Sequence, residues 1–432
     1  MAKEQSRHDI IREHMHEIAD RYKALAREKE RTSEQGDYSA SFHMNAYSQL
    51  SFLTEGCKTG RCSFCAYGQT NSKLTPKQVG IETEKFIQEI EQRIREGNPT
   101  YAVLFDSVGS IFDRNEFSPE SLDVVFKKLD ELLERVPMIE EVAFETHYGT
   151  LGTVDKDGVY VSSEALDKLV DFKKKHQSVG TYVIELGLES TNPELRTELL
   201  FKPIDNEMYK RSVKHLHDNG INVDVNIMAT LPFLTKKEQI ANAVTSTMEA
   251  LKPYEEGGFG VDNVVLFPLN VRENTFMGHS FKSIKAYEQQ HPDWEKPNWL
   301  DDEFPIWSLV ATLNTFIETG HEDMLSKISV AWFGGRSVYE SDIEPKDWED
   351  TYDAFVQYRK NGSGENSRAN IIRKLTQHPK YKAFMESIKN EPQTNLSFAD
   401  RAEFIQELNE KVGLPIKSPC ERRSGSESGE DE

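Results

Sequence analysis

The segment LTEGCKTGRCSFCAYGQT, residues 53–70, holds three of the chain's four cysteines: Cys57, Cys62 and Cys65. Thiols at that density point to metal or redox chemistry before packing. Structural zinc takes four closed ligands, usually as two short pairs, and here the second pair is missing. His43 or His147 could complete a set of three cysteines and one histidine, although neither stands at a motif spacing. An iron–sulfur cube takes one thiolate per iron. Three cysteines on one loop would hold three irons and leave the fourth open to an exogenous ligand. Gly56, Gly60 and Gly68 permit the tight wrapping that turns backbone N–H groups towards sulfides. These features favour the differentiated cluster over zinc, and zinc over a chance grouping.

A second kind of chemistry sits in segments otherwise built for burial. Glu145 ends EVAFE, and Glu185 lies inside YVIELGLES. A buried carboxylate without a donor costs several kcal/mol or shifts its pKa upward. Each therefore needs a ribose hydroxyl, an ammonium or a basic side chain. A salt bridge would satisfy either one, but two in one series favour a ligand. In LFDSVGSIFD, Gly109 and Ser110 offer small-residue backbone that a ligand's amino group could approach. An ordinary turn is the alternative there.

The elements that would position these residues alternate regularly. Short β-rich runs occur at 50–54, 101–105, 141–145, 181–189, 221–230 and 262–270, with helical patterns between them. Phe86, Ile90 and Ile94 mark one helix, Leu122, Val125, Phe126, Leu129 and Leu133 a second, and Leu166, Leu169 and Val170 a third. Six strands at this spacing describe right-handed βαβ units and a parallel sheet, open or barrel-like. Either way the site lies beyond the carboxyl ends of the strands, where the cysteine loop falls.

Ahead of this core, Ile11, Met15, Ile18 and Tyr22 predict an amphipathic helix within a helical extension over residues 1–47. Residues 48–276 form the expected core. A mixed, mainly helical region follows over 277–415, expected to close over the barrel mouth and cover the substrate, with Trp294, Trp299, Trp307 and Trp332 and with helices near 305–318, 346–360 and 366–389. The tail, 416–432, carries Cys420 and is expected to be disordered.

The cysteine loop after strand one, with Phe64 just before its last cysteine, resembles the radical S-adenosylmethionine (SAM) superfamily. The spacing here is C-x4-C-x2-C, one residue longer than that family's usual C-x3-C-x2-C. The resemblance implies an α/β fold with a partial (β/α)6 TIM-type barrel. It implies a [4Fe-4S] cluster on Cys57, Cys62 and Cys65, with SAM chelated at the open iron. Electron transfer from a flavodoxin- or ferredoxin-type donor would then cleave SAM to a 5′-deoxyadenosyl radical. By the same resemblance the backbone from Phe64 to Tyr67 meets adenine, and Gly109 and Ser110 match the glycine-rich motif of the second strand.

The segment IELGLESTNPELRTELLFKPID is similar to the fourth-strand segment of elongator-type tRNA-modifying enzymes, and closer to the radical partner of archaeosine synthase. There a basic residue meets the carboxylate of SAM, a place that Lys202 occupies, with Arg196 as a second candidate. LPFLTKKEQ and LFPLNVRENT resemble later strand exits of the same group. No cysteine lies near Cys420, so a second cluster is not expected.

The formal net charge is -21, and an acidic body repels phosphate backbones. Only NSRANIIRKLTQHPKYK (366–382) is basic enough to touch RNA. The substrate expected is therefore a small molecule, with 7-deazaguanine modification of tRNA as the alternative and a non-catalytic metal-binding scaffold as a third reading. Neither a secretory h-region nor an apolar run of membrane length appears, and few cysteines fit a reducing compartment. The expected location is cytoplasmic.

Overall fold

The computed structural model describes residues 39–412, apart from residues 45, 55–56, 58–61, 66–73, 108, 269–274, 301–304, 331–346 and 361–362. The expected N-terminal helix, Tyr67, Trp332 and the tail with Cys420 lie outside the described residues.

Eight strands form one sheet in the order β1-β2-β3-β4-β7-β8-β9-β10. They are β1 (Ser39–Met44), β2 (Tyr47–Phe52), β3 (Ala102–Ser107), β4 (Glu141–Thr146), β7 (Thr181–Glu189), β8 (Asn222–Met228), β9 (Asn263–Phe267) and β10 (Ile328–Val330). From β2 onward every pairing in this sheet is parallel. This is the partial (β/α) barrel expected, with two differences. Residues 39–44 form an antiparallel strand on β2, where a helical extension through residue 47 was expected. A seventh parallel strand, β10, comes from beyond residue 276, so the core does not end there. A separate hairpin, β5 (Gly152–Val154) with β6 (Tyr160–Ser162), follows β4.

Helices α1 (Pro76–Arg95), α2 (Pro119–Arg135), α3 (Glu164–Lys175), α4 (Pro193–Glu198), α5 (Asn206–Asp218) and α6 (Lys236–Leu251) fill the crossovers. Thr75 starts α1 with a capping box to Gln78, a cap of the kind that contributes about 1 kcal/mol. Strand parity then divides the sheet. Val103, Phe105, Val142, Phe144 and Ile184 join Phe86, Ile87 and Leu129 in the main core. Each such side chain contributes about 1.5–3 kcal/mol when fully buried. On the other face Leu104, Ala143 and Val183 gather with Tyr47 in a small plug of the barrel interior. Towards the strand ends that inner face becomes polar.

Beyond the core lie α7 (Phe276–Gln290), α8 (Trp307–Glu318), α9 (Tyr352–Arg359), α10 (Arg368–Leu375), α11 (Pro379–Lys389) and α12 (Phe398–Val412). The helix expected over 366–389 is two helices, parted where Pro379 begins the second. Buried Arg401 of α12 binds Glu238 at the start of α6 through two bonds, of 2.9 and 2.7 Å. Trp299 and Trp307 are buried in packing: Trp307 stacks on His378 and donates to Asp347 Oδ2. No described helix is long and apolar enough to cross a membrane.

Candidate functional site

The cysteine loop leaves the carboxyl end of β2, and all three of its cysteines are partly exposed. Ser63, fully buried between Cys62 and Cys65, anchors it. Its N–H donates to Leu200 O at 2.9 Å and its hydroxyl to Leu199 O at 2.7 Å, while Met277 N–H donates to Ser63 O at 2.8 Å. The loop is thus fastened to the end of α4 and the start of α7. Phe64 rests on the second apolar cluster, which includes Leu199, Phe201 and Phe276.

The exit of β3 comes up against the same loop. A Cβ on Gly109 would stand 3.0 Å from Cys57 Cα and 1.8 Å from Glu116 Oε2. Only glycine fits that approach. Ser110 N–H donates to Glu116 Oε2 at 2.7 Å, and its hydroxyl meets those of Thr146 and Thr150. Gly109 and Ser110 therefore lie at the cysteines, though the N–H of Ser110 is already occupied.

Glu189, which sequence reasoning did not single out, lies in the same place. Its Oε1 is 2.7 Å from Lys202 Nζ, and its Oε2 is buried without a partner. A Cβ on Gly187 would fall 2.5 Å from Lys202 Nζ, so that glycine makes room for the pair. Glu189 and Phe201 both have positive φ, 64° and 52°, and the ladder slips between Gly187 and Glu189. Backbone strain of this kind concentrates at functional sites. Burial opposes the Lys202 charge, but Glu189 and the Cys62 and Cys65 sulfurs more than offset it and raise its pKa. Burial pushes the Cys62 thiol up to about 12, against the pull of Lys202. Metal binding would displace that proton. The signal available in the sequence was the carboxylate of GLES at the very end of a strand.

Arg196 is a different case. It is fully buried and committed to Ser190 O, Ile204 O and Asn206. It braces these backbone carbonyls and stays within electrostatic reach of Glu189.

Glu145 and Glu185 stand side by side in the β4–β7 ladder. Burial, then Asp106, pushes Glu145 up to about 8, while Lys202 pulls it down. Burial raises Glu185 well above the carboxylate range, reinforced by Glu145, Asp224 and Asp106. Glu145 therefore feels the Lys202–Glu189 pair, whereas Glu185 faces other carboxylates.

The histidines offered for zinc are engaged elsewhere. His43 Nδ1 bonds Ser48 Oγ and its Nε2 meets Glu89. His147 accepts from Gly149 N–H, and burial, then Lys202, lowers its pKa to about 4. Among the described residues no three His, Cys, Asp or Glu side chains converge on one ion. A cube places its irons at separate corners and does not require that convergence. The thiols on one anchored loop, and the orphaned Glu189 oxygen beside them, fit a cluster with a polar ligand better than a mononuclear site.

Residues 51–244 match the family profile described as the radical SAM superfamily. The chain is 23% identical over 252 residues to an uncharacterised protein of Methanocaldococcus jannaschii, covering 57% of this chain and 62% of that one. It is 21% identical to the archaeosine synthase subunit beta of Methanosarcina acetivorans, covering 61% of this chain and 64% of the relative. The chain thus spans under two thirds of the length of these curated relatives. Among solved structures, the radical SAM methyltransferase of Kitasatospora setae, with tryptophan and a SAM analogue bound, aligns with a TM-score of 0.40. The identity is 10%, over 77% of this chain and 62% of that one.

Proposed function

We propose that this chain belongs to the radical SAM superfamily, whose profile its residues 51–244 match, and is an enzyme that removes a hydrogen atom from a small-molecule substrate. Cys57, Cys62 and Cys65 would hold a [4Fe-4S] cluster. Bound there with SAM, the cluster supplies one-electron reductive cleavage of the C5′–S bond, yielding methionine and 5′-deoxyadenosine once hydrogen is taken up. The electron would come from a flavodoxin- or ferredoxin-type donor.

The observation that carries this reading is the Glu189–Lys202 pair set beside the cysteine loop, with one carboxylate oxygen left over. Lys202 offers an ammonium to the carboxylate of SAM. Glu189 Oε2 and Glu145 offer acceptors to its amino group or ribose hydroxyls. The Gly109–Ser110 turn lets the ligand's amino end come close, and the backbone from Phe64 to Tyr67 would meet adenine.

Charge supports a small substrate over tRNA. Within the basic stretch 366–382, Arg368 is spent on the carbonyls of Leu325, Ser326, Ile328 and Tyr358. Arg373 pairs with Glu322, and Lys380 with Asp347 and Asp350. The likeness to archaeosine synthase subunits supports a second reading, modification of a 7-deazaguanine nucleoside in tRNA.

Anaerobic reconstitution tests the assignment. The expected result is about four irons and matching acid-labile sulfide per chain, slow formation of 5′-deoxyadenosine on reduction with SAM, and loss of both in Cys62→Ala. A single tight zinc with no sulfide would overturn it.

A further inference from the structure

The inner face of the barrel carries a row of carboxylates of which the cofactor reading above uses only Glu145. In the parallel ladder Glu145 pairs with Glu185, and Glu185 with Asp224. Asp106 stands beside Glu145, since it follows Phe105, which pairs with Phe144. Adjacent strands lie about 4.8 Å apart, so the row crosses about 14 Å of the interior. Gly109, against Cys57, is three residues beyond Asp106, and Glu189 is four beyond Glu185. The row therefore lies below the cysteine loop, further from the carboxyl ends of the strands.

These carboxylates are short of internal donors, and two of them have none among the described residues. Glu145 and Glu185 are half-buried and form no hydrogen bond or ion pair with a described residue. Asp106 adds a separate observation. It is only 7% exposed, its carboxylate is served by Gln49 Nε2 at 2.8 Å and by the Ser51 side chain, and its Oδ1 is buried without a well-formed bond from any described residue. Asp224 receives one bond, from Asn263 Nδ2 at 2.8 Å. The facing cations are few. Arg359 of α9 lies near enough to Tyr47 and Glu185 to feel their charges, and Lys202 is already paired with Glu189. Glu141 adds a further negative charge at the base of β4, near Asp224. No three of the described side chains converge on one ion, so a metal does not account for the row. Hydroxyl groups would supply donors but no positive charge to draw the protons off carboxyls that burial and mutual repulsion hold protonated. Ammonium groups supply both, and charge-assisted bonds are the stronger kind.

We propose that this row is the floor of the substrate chamber, and that the substrate is a small molecule with two or more amino groups, bound as ammonium ions by Asp106, Glu185 and Asp224. The proposal rests on the enzymatic reading above and adds the class of substrate. It also moves Glu185 from the cofactor to the substrate, while Glu145, within reach of Lys202, borders both.

Calorimetric titration of the anaerobically reconstituted protein with spermidine and 1,4-diaminobutane tests it, with ribitol as the neutral comparison. Iron content and SAM affinity are measured on the same samples. The expected result is saturable binding of the amines that weakens about tenfold or more in Glu185→Gln and in Asp224→Asn, with no binding of ribitol. Both substitutions keep side-chain shape and add no charge, and retained iron and SAM affinity show that the variants have folded. Amine binding unchanged in both variants would mark nonspecific attraction to an acidic surface and overturn the proposal, as would preference for ribitol. Protein that holds iron and SAM but no amine overturns this proposal alone. Protein that holds neither iron nor SAM overturns the reading beneath it.

Discussion

Lys202 Nζ stands 2.7 Å from Glu189 Oε1 where β7 leaves the sheet, and the two side chains are only 14% and 5% exposed. Removing one partner of a buried pair costs about 3–5 kcal/mol, because the other charge is left uncompensated. Lys202→Met should therefore lower the thermal midpoint and weaken SAM binding together. Adding Glu189→Gln should restore most of the stability and none of the affinity. Recovery of both in the double variant would mean that the pair serves structure alone.

Gly109→Ala tests the approach of β3 to the cysteine loop. The added methyl must displace Glu116 from the Ser110 N–H or push Cys57 outward. Overpacking of this kind costs about 1–3 kcal/mol. Iron retained after reconstitution should fall relative to the parent protein. Full iron loading with unchanged SAM affinity would show that the contact is incidental.

The carboxylate row makes the cluster-free protein sensitive to pH. Burial and Asp106 push Glu145 up to about 8 in the folded protein, and burial and Glu145 raise Glu185 well above the carboxylate range, whereas in the unfolded chain both ionise near 4.3. Between those values the folded state holds more protons than the unfolded state, so stability falls as pH rises. His147, lowered by burial, works the opposite way below about pH 6.5, which makes pH 6.5 to 8.5 the useful window. His217, raised by its bond to Asp262, adds to the fall there. The midpoint should drop across that window, and Glu145→Gln should flatten the drop. A slope identical in the variant would remove Glu145 from the account.

Bulk tRNA should not bind at micromolar protein in physiological salt, as followed by fluorescence anisotropy. Neutralising several phosphates gives a steep loss of affinity with added salt. Micromolar binding with that dependence would favour the nucleoside reading over the small molecule.

Much of this architecture could be read from residue patterns, because buried parallel strands are near-continuous apolar runs. The run at 181–189 matches β7 at both ends. β10 escaped notice because ISV is three residues long, and β1 because SASFHM has no continuous apolar run. In the site, the cysteines announced themselves by density, and Gly109 by composition. Glu185 and Glu189 share one strand and one residue type. What separates them is depth in the barrel and a partner thirteen residues away, which only the folded chain supplies. The burial of Arg196 was hidden for a related reason: a guanidinium in a polar-looking helix turns inward to brace backbone carbonyls. Trp299 and Trp307, expected over the barrel mouth, are spent on packing.

β1 and β10 do not pair, so the sheet stays open along one side. Arg359, in the helix that follows β10, comes within electrostatic reach of Tyr47 on β2. The two flanks of that gap are made about 300 residues apart. At roughly 5–20 residues per second the ribosome needs on the order of 15–60 s to pass from one to the other. For that interval the first strands and the whole cysteine loop exist before Arg359 does. Iron delivery during synthesis would therefore meet a nascent chain whose interior is still accessible from the side, a route that the finished protein narrows.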